Sequence, residues 1–196
     1  MSAATTEEHR EYYYELGRFV SIYATVEGSI FVLMASLIGI SLKDSNAVLS
    51  GAKTDQCISN IKRLYEARET EMPDALVLCL DQIGLINKLR NDILHSGTKA
   101  DFTVTNELRA LPDRIIAYPV SAKLLQNAIM DMGTILLVLA SFISPEAFPT
   151  AKVDRTVLLS RPWRCKRPVP TSTHPESQTK TPKHKPPRGS SRAKVK

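Results

Sequence analysis

Arg90, Asn91, Asp92 and His95 fall within six residues of one another. On a helix that spacing gathers a fixed cation, an amide, a carboxylate and a proton carrier onto fewer than two turns. Histidine can give or take a proton near neutral pH, and arginine can grip an oxyanion or stabilise its developing charge. Far upstream, Glu27 is the one acid in a long apolar stretch. The four histidines (His9, His95, His174, His184) are scattered and have no CxxC beside them, so no metal or other cofactor is expected.

Four helices are needed to place these groups. The first is long, from about Glu7 to Gly39, with a stripe of Leu16, Val20, Tyr23, Ile30, Phe31, Met34 and Ile38. The second runs from about Thr54 to Glu69, with Cys57, Ile58, Ile61, Leu64 and Tyr65 inward. Pro73 suits the first turn of the third, which continues to His95, where Ser96-Gly97 supplies a stop. Residues 98–120 read instead as two short extended pieces, Phe102–Thr105 and Arg114–Tyr118, around a turn at Pro112-Asp113. Ser121 then caps a fourth helix, Ala122 to about Ile143, with Leu125, Ile129, Met132, Leu136 and Leu139 inward. The expected fold class is all-α: a bundle of four to five helices over residues 1–145, with a small irregular or hairpin insertion at about 98–120.

At 100° per residue, Glu27 falls in the centre of the first stripe, and Arg90 falls inside the apolar arc Leu76, Cys79, Leu80, Ile83, Ile86, Ile93, Leu94. Isolated buried charges are very costly, so the simplest expectation is that Glu27 and Arg90 meet across the core. Such a pair can be purely structural, and an arginine can also run its stem outward to water. His95 shares the polar side of its helix with Gly84, Lys88 and Asn91, in the last turn, where the carbonyl end favours positive charge.

Charge divides the chain. Residues 161–196 hold 11 Lys/Arg, one acid (Glu176) and seven of the 12 prolines, a net of +10. Residues 1–160 are net −4, and together these give +6. Residues 161–196 have little beyond Trp163 and Val169 to bury, and residues 146–196 are expected to form a basic, Pro-rich disordered tail. Its cations, including Arg164, Lys166, Arg167, Lys183, Lys185 and Arg188, suit a polyanion such as RNA, or else simply solubilise the chain. Three cysteines (Cys57, Cys79, Cys165) make no paired framework, and the first two read as reduced core residues in the cytoplasm. The polar, acidic N-terminus is unlike a signal peptide. The longest uncharged apolar run, Gly28–Leu42, has 15 residues and falls short of a span, so no membrane partner is expected.

The run Leu89-Arg90-Asn91-Asp92-Ile93-Leu94-His95-Ser96-Gly97 resembles the signature of the HEPN superfamily. Those domains are helical bundles in which one helix carries Arg, a polar residue and then His four to six positions after the Arg. The upstream helix with central Glu27 is similar to several bacterial members. The resemblance covers this region alone. It implies a two-fold homodimer that joins two motifs in a basic cleft, and metal-independent RNA cleavage by 2′-hydroxyl attack in the active members. His95 would then act as general acid or base, Arg90 would hold the phosphate and Asn91 would orient substrate or His95, with Glu27 and Asp92 in support. An antitoxin is a further partner that the resemblance suggests.

The leading expectation is therefore a cytoplasmic endoribonuclease of a toxin or phage-defence system. Two others stand beside it. One is a non-catalytic helical dimerisation module that keeps the motif for structure; the other is a nucleic-acid-binding protein acting through its basic tail.

Overall fold

In the computed structural model, the residues described are 5–49, 51–95, 97–98, 101–105, 117–146, 162–166 and 168. Five helices carry the fold: α1 (Thr6–Ile38), α2 (Leu42–Val48), α3 (Thr54–Ala67), α4 (Asp74–His95) and α5 (Ala122–Ile143). Three short strands, β1 (Gly97–Thr98), β2 (Thr103–Thr105) and β3 (Ala117–Pro119), form an antiparallel sheet in that order. The bundle is all-α in class, as expected, with the small sheet inserted between α4 and α5.

Local signals explain the helix ends. The Thr5 hydroxyl accepts from the Glu8 amide while the Glu8 carboxylate accepts from the Thr5 amide, a reciprocal cap for α1. Gly39 closes the helix at φ 80°, a left-handed position that disfavours any residue with a Cβ, and its amide donates to the Ala35 and Ser36 carbonyls. Ser121 caps α5 through the Leu124 amide, and α5 has the bounds expected of it. The seven-residue α2, capped by Ser41, is the fifth helix that periodicity alone does not resolve.

Helix α1 packs along α5 and, less extensively, against α3. Its buried face is Tyr12, Glu15, Phe19, Tyr23, Val26, Ile30, Leu33 and Met34. Val20 and Ile38, expected inside, are exposed, as is Leu94 on α4. The true stripe of α1 is thus turned by ~70° from the one read at 100° per residue, and Glu27 moves from its centre to its margin. Both α1 and α5 are long and apolar enough to cross a membrane by length and composition. In the bundle their apolar faces lie against each other, and α5 buries Asp131 with hydrogen-bond partners inside the protein.

The hairpin expected at 98–120 is present as β2 and β3, with Val104 opposite Tyr118, and β1 adds a third strand. The proposed turn at Pro112-Asp113 lies outside the described residues. Phe102, at φ 60°, stacks on Tyr12 with ring centres 4.4 Å apart and so joins the sheet to α1.

One part of the tail reading needs correction. Residues 162–166 are docked between α4 and α5. The buried Asp131 carboxylate accepts from the backbone amides of Arg164 (3.0 Å) and Cys165 (2.7 Å), and from the Gln82 side chain (3.0 Å). Gln82 also donates to the Cys165 carbonyl at 3.1 Å. Cys165 is fully buried, and Trp163 packs against the core. Two buried polar side chains thus satisfy the Arg164 amide and both backbone groups of Cys165, a device invisible to a composition count. The rest of the expected tail, residues 147–161, 167 and 169–196, lies outside the described residues.

Cys57, Cys79 and Cys165 are free and buried. Burial pushes the thiols of Cys79 and Cys165 up to about 12, as expected for inert core cysteines.

Candidate functional site

The C-terminal half of α4, the middle of α1 and the start of α3 enclose a cleft of about 510 Å³. Its lining includes Arg90, Asn91 and His95 from α4, Glu27 from α1, and Asp55 with Lys53 from the start of α3. Three motif residues separated by helical spacing therefore open onto one space, and Glu27 joins them from another helix.

Glu27 and Arg90 do not form the buried ion pair expected of them. Glu27 is exposed, and its carboxylate accepts from the Thr54 hydroxyl at 2.6 Å. Arg90 is half-buried, donates to the Asn91 side-chain oxygen at 2.9 Å, and lies over the Tyr23 ring at 5.6 Å from its centre. Tyr23 stands one turn before Glu27 on α1, so its ring takes the place the ion pair would have filled. A cation over an aromatic face needs no neutralising carboxylate, and the rotation of α1 leaves Glu27 in reach of water.

Tyr23 also anchors a chain of polar groups beneath the cleft. Its hydroxyl donates to the Asn87 side-chain oxygen at 2.6 Å and lies 3.1 Å from the Thr54 hydroxyl. Asn87 in turn donates from its amide nitrogen to Asp55 at 2.8 Å. Because a tyrosine hydroxyl has one hydrogen, its bond to Asn87 fixes which way that amide faces. Burial pushes the Tyr23 hydroxyl up to about 12, with Glu27 and Asp55 acting in the same direction and Thr54 and Arg90 opposing. Tyr23, Thr54 and Asn87 are all buried, so the chain links the core to the two carboxylates on the cleft wall.

His95 is exposed at the rim, on the last turn of α4. Asp92, expected to support the motif, faces elsewhere: it accepts from the Tyr118 hydroxyl of β3 and ties the sheet to α4. Of the tail cations named above, Arg164 and Lys166 are exposed and do not line the cleft, while Arg167, Lys183, Lys185 and Arg188 lie outside the described residues. Among the described residues, no group of three His, Cys, Asp or Glu side chains is placed to hold a metal ion.

Lys53, Asp55 and Asn87 were missed by sequence reasoning. For Asn87 a signal existed, since it falls between Arg90 and Asn91 around α4. Asp55 and Lys53 sit at the start of another helix and had none.

The cleft thus offers cations, carboxylates, amides and an imidazole to a small polar ligand or one unit of a polymer. Compared with protein-family models, characterised proteins and solved structures, the chain matches none.

Proposed function

We propose that this protein is a HEPN-type endoribonuclease that cleaves RNA by 2′-hydroxyl attack on the adjacent phosphodiester. One observation carries the reading: Arg90, Asn91 and His95 line a single cleft of about 510 Å³. In this reading Arg90, held by Asn91 and the Tyr23 ring, grips the phosphate; exposed His95 moves the proton to or from the reacting oxygens. The attacking hydroxyl belongs to the substrate, so the reaction as proposed needs no metal-activated water. A homodimer that pairs two clefts, a cytoplasmic site of action, and an antitoxin partner complete the proposal, with a toxin or phage-defence role.

The test is RNA cleavage by purified protein in chelator, wild type against His95→Ala. Wild type should leave a 2′,3′-cyclic phosphate, and His95→Ala should be inactive with an unchanged melting temperature, because its side chain is exposed. Equal inactivity of both on diverse RNAs would remove the nuclease reading. Activity that depends on a divalent metal would remove the mechanism.

A second reading has its own support. Arg90 is engaged by Asn91 and Tyr23 within the chain, as in a helical interaction module that keeps the motif for structure. That reading predicts that Arg90→Ala lowers stability and leaves no cleavage activity to lose.

A further inference from the structure

The cleft is not lined as a plain phosphate groove would be. Its wall carries two carboxylates, Glu27 and Asp55, beside Lys53 and Arg90. A site for polyanion backbone alone would exclude carboxylates, since like charge repels the ligand. Such a mixed lining suits a ligand with an anionic end and a hydrogen-bond-donating end.

The two ends are set out along α4. Asn87 holds Asp55, Arg90 and Asn91 follow one turn later, and His95 lies eight residues on from Asn87, ~12 Å along the axis. That length accommodates one nucleoside with its phosphate. Glu27 is engaged by Thr54. Asp55 is the better candidate to meet a ligand: it is exposed to the cleft, yet its carboxylate is held by buried Asn87, which Tyr23 orients from the core. One bond from Asn87 occupies one of about four lone-pair sites on a carboxylate, leaving acceptors on both oxygens. An exposed side chain held from below by the core is a pre-organised contact.

From this geometry we propose, resting on the ribonuclease reading, that the cleft selects guanine on the 5′ side of the cleaved bond. The guanine N1–H and exocyclic amino group donate in parallel to the Asp55 carboxylate, and Lys53 donates to O6. Arg90 and His95 then face the 3′-phosphate. Guanine alone among the four bases presents two adjacent donors on its pairing edge. Adenine and cytosine present one amino donor beside an acceptor, and uracil one imide donor between two acceptors, so each leaves a carboxylate oxygen facing an acceptor.

The test reads binding and cleavage separately, on the full chain. Isothermal titration should show guanosine 3′-monophosphate binding about ten-fold or more tighter than its adenosine, cytidine and uridine counterparts. Asp55→Asn retains an oxygen for Asn87 and so the local fold, but it should abolish that preference. Lys53→Met, on an exposed side chain, should weaken guanosine 3′-monophosphate several-fold. In a set of oligoribonucleotides differing at one base, wild type should cut after guanosine. Cleavage without base preference would overturn this inference and leave the ribonuclease reading standing. Guanine-selective binding with no cleavage would keep the selectivity and remove the ribonuclease. Equal binding of all four nucleotides, binding of none, or a preference unchanged in Asp55→Asn would overturn the inference.

Discussion

The Arg90 guanidinium lies over the face of the Tyr23 ring, 5.6 Å from its centre, and the Tyr23 hydroxyl donates to buried Asn87. One side chain thus positions the Arg90 cation with its ring and the Asp55 carboxylate, through Asn87, with its hydroxyl. Tyr23→Phe should keep Arg90 in place but leave the Asn87 oxygen short of its donor, at a cost of about 1–3 kcal/mol in denaturant unfolding. Tyr23→Ala should cost more, about 3–5 kcal/mol, because it also opens a cavity under Arg90. Equal stability of the two variants would show that the ring contact contributes nothing.

Glu27→Ala should be mild. The carboxylate is exposed and makes a hydrogen bond to Thr54, so the loss should be about 1 kcal/mol rather than the 3–5 kcal/mol of a broken buried ion pair. A melting temperature lowered as much as by a large core truncation would contradict this placement.

Asp131 should matter more than any surface acid. Asp131→Ala removes the acceptor of two backbone amides and the Gln82 side chain, which should cost about 3 kcal/mol and release residues 162–166. Wild-type Cys165 should resist a thiol reagent in native protein, whereas Asp131→Ala should be labelled there, as read by peptide mass spectrometry. Truncation before Pro162 should also destabilise the fold; truncation after Pro168 should not.

Alkaline pH should weaken the fold most through three buried groups. Tyr23, Cys79 and Cys165 each have a hydroxyl or thiol pushed up to about 12. Between pH 9 and 12 the folded state therefore holds protons that the unfolded chain has released. The stability these groups contribute is intact below their unfolded values, near 9 for the thiols and 10 for the tyrosine, and falls as pH rises toward 12. Urea midpoints measured from pH 8 to 11 should decline, and Cys79→Ala should flatten the decline. An unchanged midpoint would place these groups in contact with water.

Removing residues 169–196 should weaken RNA binding in low salt, because the segment includes Lys183, Lys185 and Arg188 among its cations. The difference from full-length protein should fade steeply as salt rises, since counterion release supplies the attraction. Filter binding at two salt concentrations checks it, and equal affinity at low salt would remove the role.

Periodicity and caps made most of the frame legible. The bounds of α5 and the start of α4 follow from local rules: a Ser N-cap in one case, Pro73 just before the first turn in the other. The pairing of β2 with β3 was legible because the β-prone residues of both strands have no helical period. The motif residues were legible as a set, since helical spacing alone brings Asn91 and His95 together.

Tertiary structure decided what those residues meet. An error of ~70° in the face of α1 changes no helix boundary, yet it moves Glu27 from the core to the cleft wall and puts Tyr23 against Arg90. Helical periodicity gives an apolar arc but not which part of a broad arc a neighbour covers, and α1 is apolar enough around its circumference to leave that open. The meeting of Asp55 with Asn87, 32 positions away, and of Asp131 with Cys165, 34 positions away, depends on how whole helices pack. Composition marked residues 161–196 as a basic tail because it counts apolar side chains. It does not register that two buried polar groups, Gln82 and Asp131, can hold the backbone of Arg164 and Cys165 in place.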